Sequence, residues 1–445
     1  MEIIIAGAGK VGFNLAKTLC IGHNVTVIDK NLDALQRIQE SLDIMPYNGD
    51  VEDYRTYYAF ADKKVDLFIA VTNIDNVNII STLMIDTIVN VKRKFVRLHN
   101  MFFANDVILD KLKIDQVILP IKLASNAIVS VLNYPQINNI KFFKNTDYKL
   151  ISIKVYEELS PENILEFKPY IIGIERGKNF FIPQNDESKD LHKDDLVYLF
   201  VREKDIDYVA SILGTGSTSN LEIKTCVVAG GGDLGISISK ALLETGKKVK
   251  LIEKDLHLCE RADEVLQGKV SVVNSKYGSN DLFEDENLSN ADIFIAATNN
   301  DEFNIIKCLE AKEKGIKKVV AINNDLEYYQ LMHSLGMIVV RGPKISAYNN
   351  IMEHINSNGI VIQKSFCGAQ GVAMMRKIYS NSRLIGKKIK MLKSKETLVF
   401  YIREEKLYPL LESLVVREND IIIAFSTTDN SPKVKQWIYE LYKHF

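Results

Sequence analysis

The feature that most constrains this chain of 445 residues is an internal repeat. The first copy opens on the apolar run Ile3-Ile4-Ile5, enters Gly7-Ala8-Gly9-Lys10-Val11-Gly12, crosses a helical stretch and reaches Val25-Thr26-Val27-Ile28-Asp29. The second opens at Cys226, enters Gly230-Gly231-Gly232-Asp233-Leu234-Gly235 and reaches Val249-Lys250-Leu251-Ile252-Glu253. Further on, Ala70-Val71-Thr72-Asn73-Ile74-Asp75-Asn76-Val77-Asn78-Ile79 matches Ala296-Ala297-Thr298-Asn299-Asn300-Asp301-Glu302-Phe303-Asn304-Ile305. The spacing holds at roughly 225 residues and drifts by only about three, which is the signature of two copies of one unit with small loop changes.

Within each copy, short β-branched runs alternate with helical patterns. Strands are expected near 2–6, 24–28, 66–71 and 94–98, with helices such as 10–20 and 76–89 between them. The second copy repeats this near 224–229, 248–252, 292–297 and 318–322. Strands alternating with helices imply right-handed crossovers and a parallel sheet, so the expected fold class is α/β with two Rossmann-like domains. A helix should follow each, over 122–135 and 344–357, starting from Pro120 and Pro343. Both carry apolar residues at helical spacing: Ala124, Ile128, Val131 and Leu132 in one, Ile345, Tyr348, Ile351 and Ile355 in the other. A small α+β region then mixes short strands with turns such as Glu175-Arg176-Gly177-Lys178 and Arg403-Glu404-Glu405-Lys406. Each ends on a strand after an Asp-containing turn, Lys193-Asp194-Asp195 and Glu418-Asn419-Asp420. Gly214 to Asn220 reads as a flexible linker. The expected division is 1–121 and 221–343 for the Rossmann units, 122–140 and 344–362 for crossover helices, and 141–213 and 363–445 for the small domains, with the linker at 214–220.

The glycine pattern has the context that gives it meaning: it follows a strand, opens a helix, and an acidic residue ends the next strand. Gly7 permits the tight turn, Gly9 lets the backbone approach a pyrophosphate, and Gly12 lets helix and strand pack closely. The helix N-terminus, with free N–H groups and the positive end of the dipole, then faces the phosphates. Asp29 is positioned to accept from the ribose hydroxyls of an adenosine, which favours NAD or NADH over the 2′-phosphorylated forms. Thr72 and Asn73 lie at the carboxyl edge of the sheet, where ligands bind, although both are also good helix caps. Arg97, ending the fifth strand, could neutralise a phosphate or stack on adenine. Asp50, in Asn48-Gly49-Asp50 after the third strand, could line the adenosine side.

The bulk composition excludes several classes. Apolar residues make up 47% and charged residues 25%, with a net charge of -1, which suits a globular chain and offers no basic excess for nucleic acid. The local Lys387, Lys388, Lys390, Lys393, Lys395 stretch reads as a solvated face, with a contact for acidic lipid or a partner as the alternative. Cys20, Cys226, Cys259, Cys308 and Cys367 form no CxxC and no zinc spacing, so no metal site is expected, and the thiols suit a reduced cytosolic compartment. No secretory signal pattern or run of membrane-spanning length is present, so membrane association should be peripheral.

At IIIAGAGKVG, VIDK, NGD, IAVTNIDNVN and KFVRLH in the first half, and VVAGGGDLG, LIEKD and IAATNNDEFNI in the second, the chain resembles the TrkA family over essentially its full length. Its members are NAD-binding subunits of bacterial Trk potassium-uptake systems, built from tandem RCK (or KTN) modules. The resemblance implies a regulatory, non-enzymatic protein at the cytoplasmic face of the inner membrane. It would form a homo-oligomeric ring, dimer or tetramer, under a potassium-translocating subunit of the TrkH or TrkG type. Carried over by position, nucleotide contacts fall on Gly7, Ala8, Gly9, Lys10, Val11, Gly12, Asp29, Asp50, Thr72, Asn73 and Arg97. In the second half they fall on Gly230, Gly231, Gly232, Asp233, Leu234, Gly235, Glu253, Thr298 and Asn299. The second half departs at two places: Val273-Asn274-Ser275-Lys276 replaces Asn48-Gly49-Asp50, and Ala321 aligns with Arg97. The second site is therefore expected to bind more weakly or to take another adenine nucleotide. The first small domain also departs from the family pattern around Glu157 to Glu166. The rival readings are an NAD-dependent oxidoreductase, for which no acid/base cluster is visible and His99 reads as a loop residue, and an RCK-type regulator of potassium efflux.

Overall fold

Unbroken apolar runs become strands buried on both faces, as a parallel sheet covered by helices requires. In the first half these are β1 (Glu2–Ala6), β2 (Asn24–Asp29), β3 (Met45–Asn48), β4 (Leu67–Ala70), β5 (Lys94–Arg97) and β6 (Gln116–Ile118), all in parallel pairing in the order β3-β2-β1-β4-β5-β6. The helices between them include α1 (Lys10–Leu19), α2 (Leu32–Ser41) and α3 (Asp75–Ile88), and α4 (Pro120–Leu132) follows β6. The order reverses direction between β1 and β4, which is the switch point where such sheets open a crevice at their carboxyl edge. The computed structural model describes residues 1–158, 171–183, 190–213, 222–275, 282–355, 360–389, 391–392, 394, 396–410 and 412–441. The linker expected at 214–220, Lys276, Lys390, Lys393, Lys395 and most of 157–166 lie outside the described residues.

The small region of the first half contains β7 (Ile137–Phe142), β8 (Tyr148–Lys154), β9 (Ile171–Arg176), β10 (Asn179–Phe181) and β11 (Leu196–Arg202), with α5 (Ile206–Leu213) after them. The second half repeats the parallel sheet with β12 (Thr225–Ala229), α6 (Asp233–Glu244), β13 (Lys248–Glu253), α7 (Leu256–Leu266), β14 (Ser271–Asn274), β15 (Ile293–Ala296), α8 (Asp301–Glu313), β16 (Lys318–Asn323), α9 (Tyr329–Ser334) and β17 (Ile338–Arg341). Its order, β14-β13-β12-β15-β16-β17, is the same as in the first half. Then come α10 (Pro343–His354), β18 (Ile362–Phe366), β19 (Gly371–Lys377), β20 (Thr397–Arg403), β21 (Lys406–Pro409), β22 (Ile421–Thr427) and α11 (Ser431–Glu440). The fold is thus two Rossmann-like parallel sheets, each followed by a small α+β region.

The chain divides into two compact units. One comprises 1–124 with 341–355, the other 125–340 with 356–445. The helix after the second sheet, α10, therefore belongs with the first sheet. There it packs on α1, with the Tyr348 and Thr18 hydroxyls 2.8 Å apart and Ile345, Ala347 and Ile351 buried. Within the second unit, Ser125 of α4 accepts a 3.0 Å hydrogen bond from Ser237 of α6. The apolar stripe noted on α10 is thus used on the first sheet, while α4 meets α6 of the second half through that hydrogen bond.

In the second unit the two small antiparallel sheets, β10-β9-β11-β8-β7 and β18-β19-β22-β20-β21, are buried as one core. Phe143, Tyr148 and Phe200 interleave with Phe366, Phe400 and Phe425, and Phe200 lies 5.1 Å from Phe425 between ring centroids. The same latch closes each small sheet. Asp195 receives both Nε and Nη2 of Arg176 at 2.9 and 2.7 Å, and Asp420 receives those of Arg403 at 2.9 and 2.7 Å. Both carboxylates are 1% exposed and each also caps a backbone N–H, of His192 and of Arg417. Removing the carboxylate leaves that amide and the guanidinium Nε without their acceptor, and leaves Nη2 only a backbone carbonyl, of Asp190 or of Val415. Asp420→Ala should therefore lower stability by about 2–3 kcal/mol, read as a fall in the denaturant midpoint. An unchanged midpoint would show the latch to be energetically neutral.

Candidate functional site

The first unit holds a cavity of about 300 Å³ at the carboxyl edge of its sheet, at the low end of the range for small-ligand sites. It is lined by Gly7, Gly9, Lys10, Val11, Asp29, Asp50, Thr72, Asn73 and Arg97 among the expected residues, together with Ile28, Lys30, Val51, Val71, Ile74, Val77 and Lys344. Ala8 and Gly12 stand behind the lining, Ala8 through a hydrogen bond to Asp29 and Gly12 through helix packing.

The glycine loop has the geometry a phosphate cradle needs. Gly7 adopts φ +114°, closed to side-chain-bearing residues, and its carbonyl oxygen would lie 1.9 Å from a Cβ placed on Gly12. Gly9 caps α1 in extended conformation without any side-chain cap, so the first N–H groups of the helix are not met by a side chain at the cap. Asp29 is fixed at both oxygens: Oδ2 accepts from the N–H of Ala8 at 2.6 Å and Oδ1 from that of Asn31 at 2.9 Å. This holds the carboxylate at the rim with lone pairs remaining for hydroxyl donors.

Opposite the loop, Arg97 is 3% exposed. Its Nη1 donates to Asn73 at 3.2 Å, its Nη2 lies 3.0 Å from His99 Nε2, and its Nε has no hydrogen-bond partner among the described residues. Burial depresses the Arg97 pKa from its ordinary value, and the nearby Asp75 carboxylate partly offsets that. A desolvated guanidinium with an unmet donor, beside a cavity, is suited to an anionic group.

The neighbours that set this arrangement were not singled out from sequence. Asn78 of α3 is fully buried and its amide ties two strand ends together, accepting from the Thr72 N–H and hydroxyl at 2.9 and 2.7 Å and donating to the carbonyls of Thr72 and Arg97 at 3.0 and 2.9 Å. Asp75 receives the N–H groups of His99 and Asn100 and sits 2.9 Å from His99 Nδ1, which orients the ring that touches Arg97. The signal was available, since Asp75 and Asn78 recur as Asp301 and Asn304 at identical places in the repeat. Lys344 gave no such signal; it reaches the cavity because α10 folds onto the first sheet.

The second sheet keeps the scaffold and changes the chemistry. Gly230 has φ +116°, and its carbonyl oxygen would stand 1.8 Å from a Cβ on Gly235. Asn304 repeats the clasp, accepting from Thr298 and donating to the carbonyls of Thr298 and Ile322. Asp301 again accepts from two successive backbone N–H groups, of Asn324 and Asp325. Glu253 replaces Asp29 with one more methylene, and its Oε2 accepts from the Gly231 N–H at 2.6 Å. That longer side chain fits because residue 231 is glycine: a Cβ there would lie 2.8 Å from Glu253 Cγ. The Ala8–Asp29 and Gly231–Glu253 pairs are thus matched sizes in one design.

The register corrects one assignment. The counterpart of Arg97 is Ile322, not Ala321, because Ala321 pairs with Ala296 as Val96 pairs with Ala70, and Asn304 bonds the Ile322 carbonyl as Asn78 bonds that of Arg97. A one-residue slip at the strand end accounts for it, and the loss of the basic group stands. Likewise Asn274 matches Asn48 and Ser275 matches Gly49, which by sequence leaves Lys276 opposite Asp50. At the start of α6, Asp233 stands where the first half has Lys10 and is paired with Arg261. Leu234 is buried, and Gly232 caps α6 as Gly9 caps α1, while Asn299 is exposed beside the Thr298 clasp.

The TrkA-N domain model matches the chain twice, over residues 3–120 and 226–343. The chain belongs to the TrkA-N domain family. Both copies of the TrkA-N domain coincide with the two parallel sheets described above. A Trk system potassium uptake protein TrkA homolog of Archaeoglobus fulgidus is 27% identical, covering 98% of this chain and 99% of the relative. The Trk system potassium uptake protein TrkA of Vibrio alginolyticus is 26% identical over 96% of this chain and 95% of its own length. Among solved structures, the RCK domain of GsuK superposes with a TM-score of 0.56 over 98% of this chain and 94% of that one. The GsuK channel bound to NAD superposes at 0.57, over 98% of this chain and 78% of that one. Each of the two is 16% identical in sequence, which establishes a shared fold. No helix among the described residues is long and apolar enough to cross a membrane.

Proposed function

We propose that this chain is a nucleotide-responsive regulatory subunit of a Trk-type potassium uptake system, binding NAD or NADH at the cavity of the first sheet. The observation that carries the ligand is the pairing across that cavity: a glycine loop and an uncapped helix start on one side, and the buried Arg97 with an unmet donor on the other. A pyrophosphate between them would satisfy both. Asp29 would read the adenosine ribose, Thr72 and Asn73 would close the edge, and Lys10 and Lys344 would add positive charge. The relatives' names support the transport role, since they match nearly full length.

The same reading takes 1–121 and 221–343 as the nucleotide-binding units, 122–140 and 344–362 as the crossover segments, and 141–213 and 363–445 as the small domains. The second site would involve Gly230 to Gly235, Glu253, Thr298 and Asn299. With Asp233 at the helix start and Ile322 in place of Arg97 it attracts phosphate less strongly, and binds a dinucleotide more weakly or prefers another adenine nucleotide. Ligand would act by differential affinity for two conformations rather than by turnover, shifting a homo-oligomeric ring at the cytoplasmic face of the membrane and so gating a potassium-translocating partner of the TrkH or TrkG type. Only about 1–3 kcal/mol of coupling is needed for that.

Two measurements test this. Potassium uptake in cells lacking their own subunit should be restored by this chain with a matching membrane partner, and no restoration with any such partner counts against the transport role. In calorimetric titration, NADH should bind about tenfold more tightly than NADPH, because a 2′-phosphate near the Asp29 carboxylate costs roughly 1 kcal/mol or more. Equal or tighter NADPH binding would remove Asp29 from its role, and steady NADH consumption with a common carbonyl substrate would favour an oxidoreductase.

A further inference from the structure

The second unit brings together three side chains that sequence spacing keeps far apart. Glu175 lies on β9 of the first small sheet, His333 on α9 beside the second parallel sheet, and Cys367 in the turn between β18 and β19 of the second small sheet. Nε2 of His333 lies 2.9 and 3.1 Å from the two carboxylate oxygens of Glu175, and Sγ of Cys367 lies 3.2 Å from Oε2. One potential ligand atom from each residue lies within 4.8 Å of the others. The cluster is enclosed, with the Glu175 and His333 side chains 13% and 16% exposed and Cys367 buried at 1%. The Tyr198 hydroxyl donates to Glu175 at 3.0 Å from within the core.

From this geometry we propose that Glu175, His333 and Cys367 form a binding site for a divalent cation of the zinc class. A carboxylate oxygen, an imidazole nitrogen and a thiolate are the donor set that zinc and its borderline neighbours take, and they reject calcium and magnesium, which require oxygen ligands. Zinc bonds of about 2.0–2.3 Å in tetrahedral geometry separate ligand atoms by about 3.3–3.7 Å, so the spacings of the Glu175 carboxylate from the imidazole and the thiol need open by only a few tenths of an ångström, while His333 Nε2 and Cys367 Sγ lie within 4.8 Å of each other. The fourth position has space beside it: a cavity of about 10 Å³, bounded by His333, Cys367, Tyr198 and Phe366, is the size of one water. On binding, Sγ exchanges its proton for the metal and releases it to solvent, and the imidazole coordinates through Nε2 with its proton on Nδ1.

The turn carrying Cys367 fits this use. Cys367 and Ala369 both adopt left-handed backbone conformations, φ 49° and 73°, and a Cβ on Gly368 would stand 2.9 Å from His333 Cδ2. The turn is thus laid directly on the imidazole. A cation here would staple both small sheets to α9, three segments otherwise joined by packing and hydrogen bonds. The site is independent of the nucleotide cavity and does not rest on the proposed transport role.

The test uses the full-length protein stripped with a chelator and titrated with zinc chloride or cobalt chloride. One zinc per chain should bind, and cobalt should give a thiolate charge-transfer band with the intense visible bands of four-coordinate geometry. Cys367→Ser should abolish the charge-transfer band, and His333→Ala and Glu175→Gln should each weaken zinc by at least about 10-fold, the usual scale for losing a metal-site interaction. Cys226→Ser, away from the cluster, should leave the spectrum unchanged, and wild-type circular dichroism with a cooperative thermal transition in every metal-free variant confirms that it is folded. The proposal is overturned if the wild-type chain shows no saturable charge-transfer band, or if that band survives in folded Cys367→Ser; the three residues would then be a hydrogen-bonded cluster and nothing more.

Discussion

Gly12→Val is expected to eliminate dinucleotide binding at the first site. A Cβ at this position stands 1.9 Å from the Gly7 carbonyl oxygen, a backbone atom that cannot move aside without lifting α1 from β1. Valine adds two further methyl groups to that clash. The loop that should cradle the pyrophosphate and the helix whose N–H groups should face it are the two parts forced apart, so affinity should fall below detection. Overpacking of this kind also costs about 1–3 kcal/mol of stability. Calorimetric titration with NADH and thermal unfolding read the two effects separately. Gly235→Val should act equally on the second loop, where the corresponding distance is 1.8 Å. If Gly12→Val binds NADH at full stoichiometry and wild-type affinity, the loop is a packing turn and the assigned site is wrong. If the two variants lose every ligand in the same proportion, the proposed difference between the sites fails.

Arg97→Met should separate binding from folding. The guanidinium is nearly fully buried with its Nε unmet, so the free protein carries the cost of desolvating a cation that a ligand phosphate would offset. Methionine keeps most of the volume and removes the charge. NADH affinity should fall by about 10–100-fold, equivalent to about 1.4–2.7 kcal/mol for a charge-assisted contact. Stability without ligand should stay level or rise, since replacing buried charge by an apolar side chain is often neutral or favourable. Unchanged NADH affinity would show that Arg97 serves the strand-end network around Asn73, His99 and Asp75 instead of the ligand. The matching substitution in the second half, Ile322→Arg, is not predicted to create a strong site, because Asp233 still stands at the helix start.

The sequence by itself determined the repeat, both parallel sheets and the placement of the glycine loops. These follow from local signals: apolar runs of strand length, glycines required by a backbone turn and by helix–strand contact, and an acidic residue closing the next strand. Because each signal occurs twice, its meaning could be checked against its own copy, and the glycine loop, Asp29, Asp50, Thr72, Asn73 and Arg97 around the first cavity were readable without a structure, whereas Lys344 was not. The one slip, Ala321 for Ile322, came at a strand end, where hydrophobic pattern does not fix register and only the ladder and the Asn304 amide do. Tertiary structure decided what local pattern cannot encode. The stripe on α10 showed that the helix must pack on something, but only packing assigned it to the first sheet and so carried Lys344 into the first cavity. The two small regions were expected as separate small domains, yet the aromatic residues of their sheets fill one core. Glu175, His333 and Cys367 meet only because three segments distant in sequence converge, and convergence is set by the burial of apolar surface summed over the whole unit, not by any spacing along the chain.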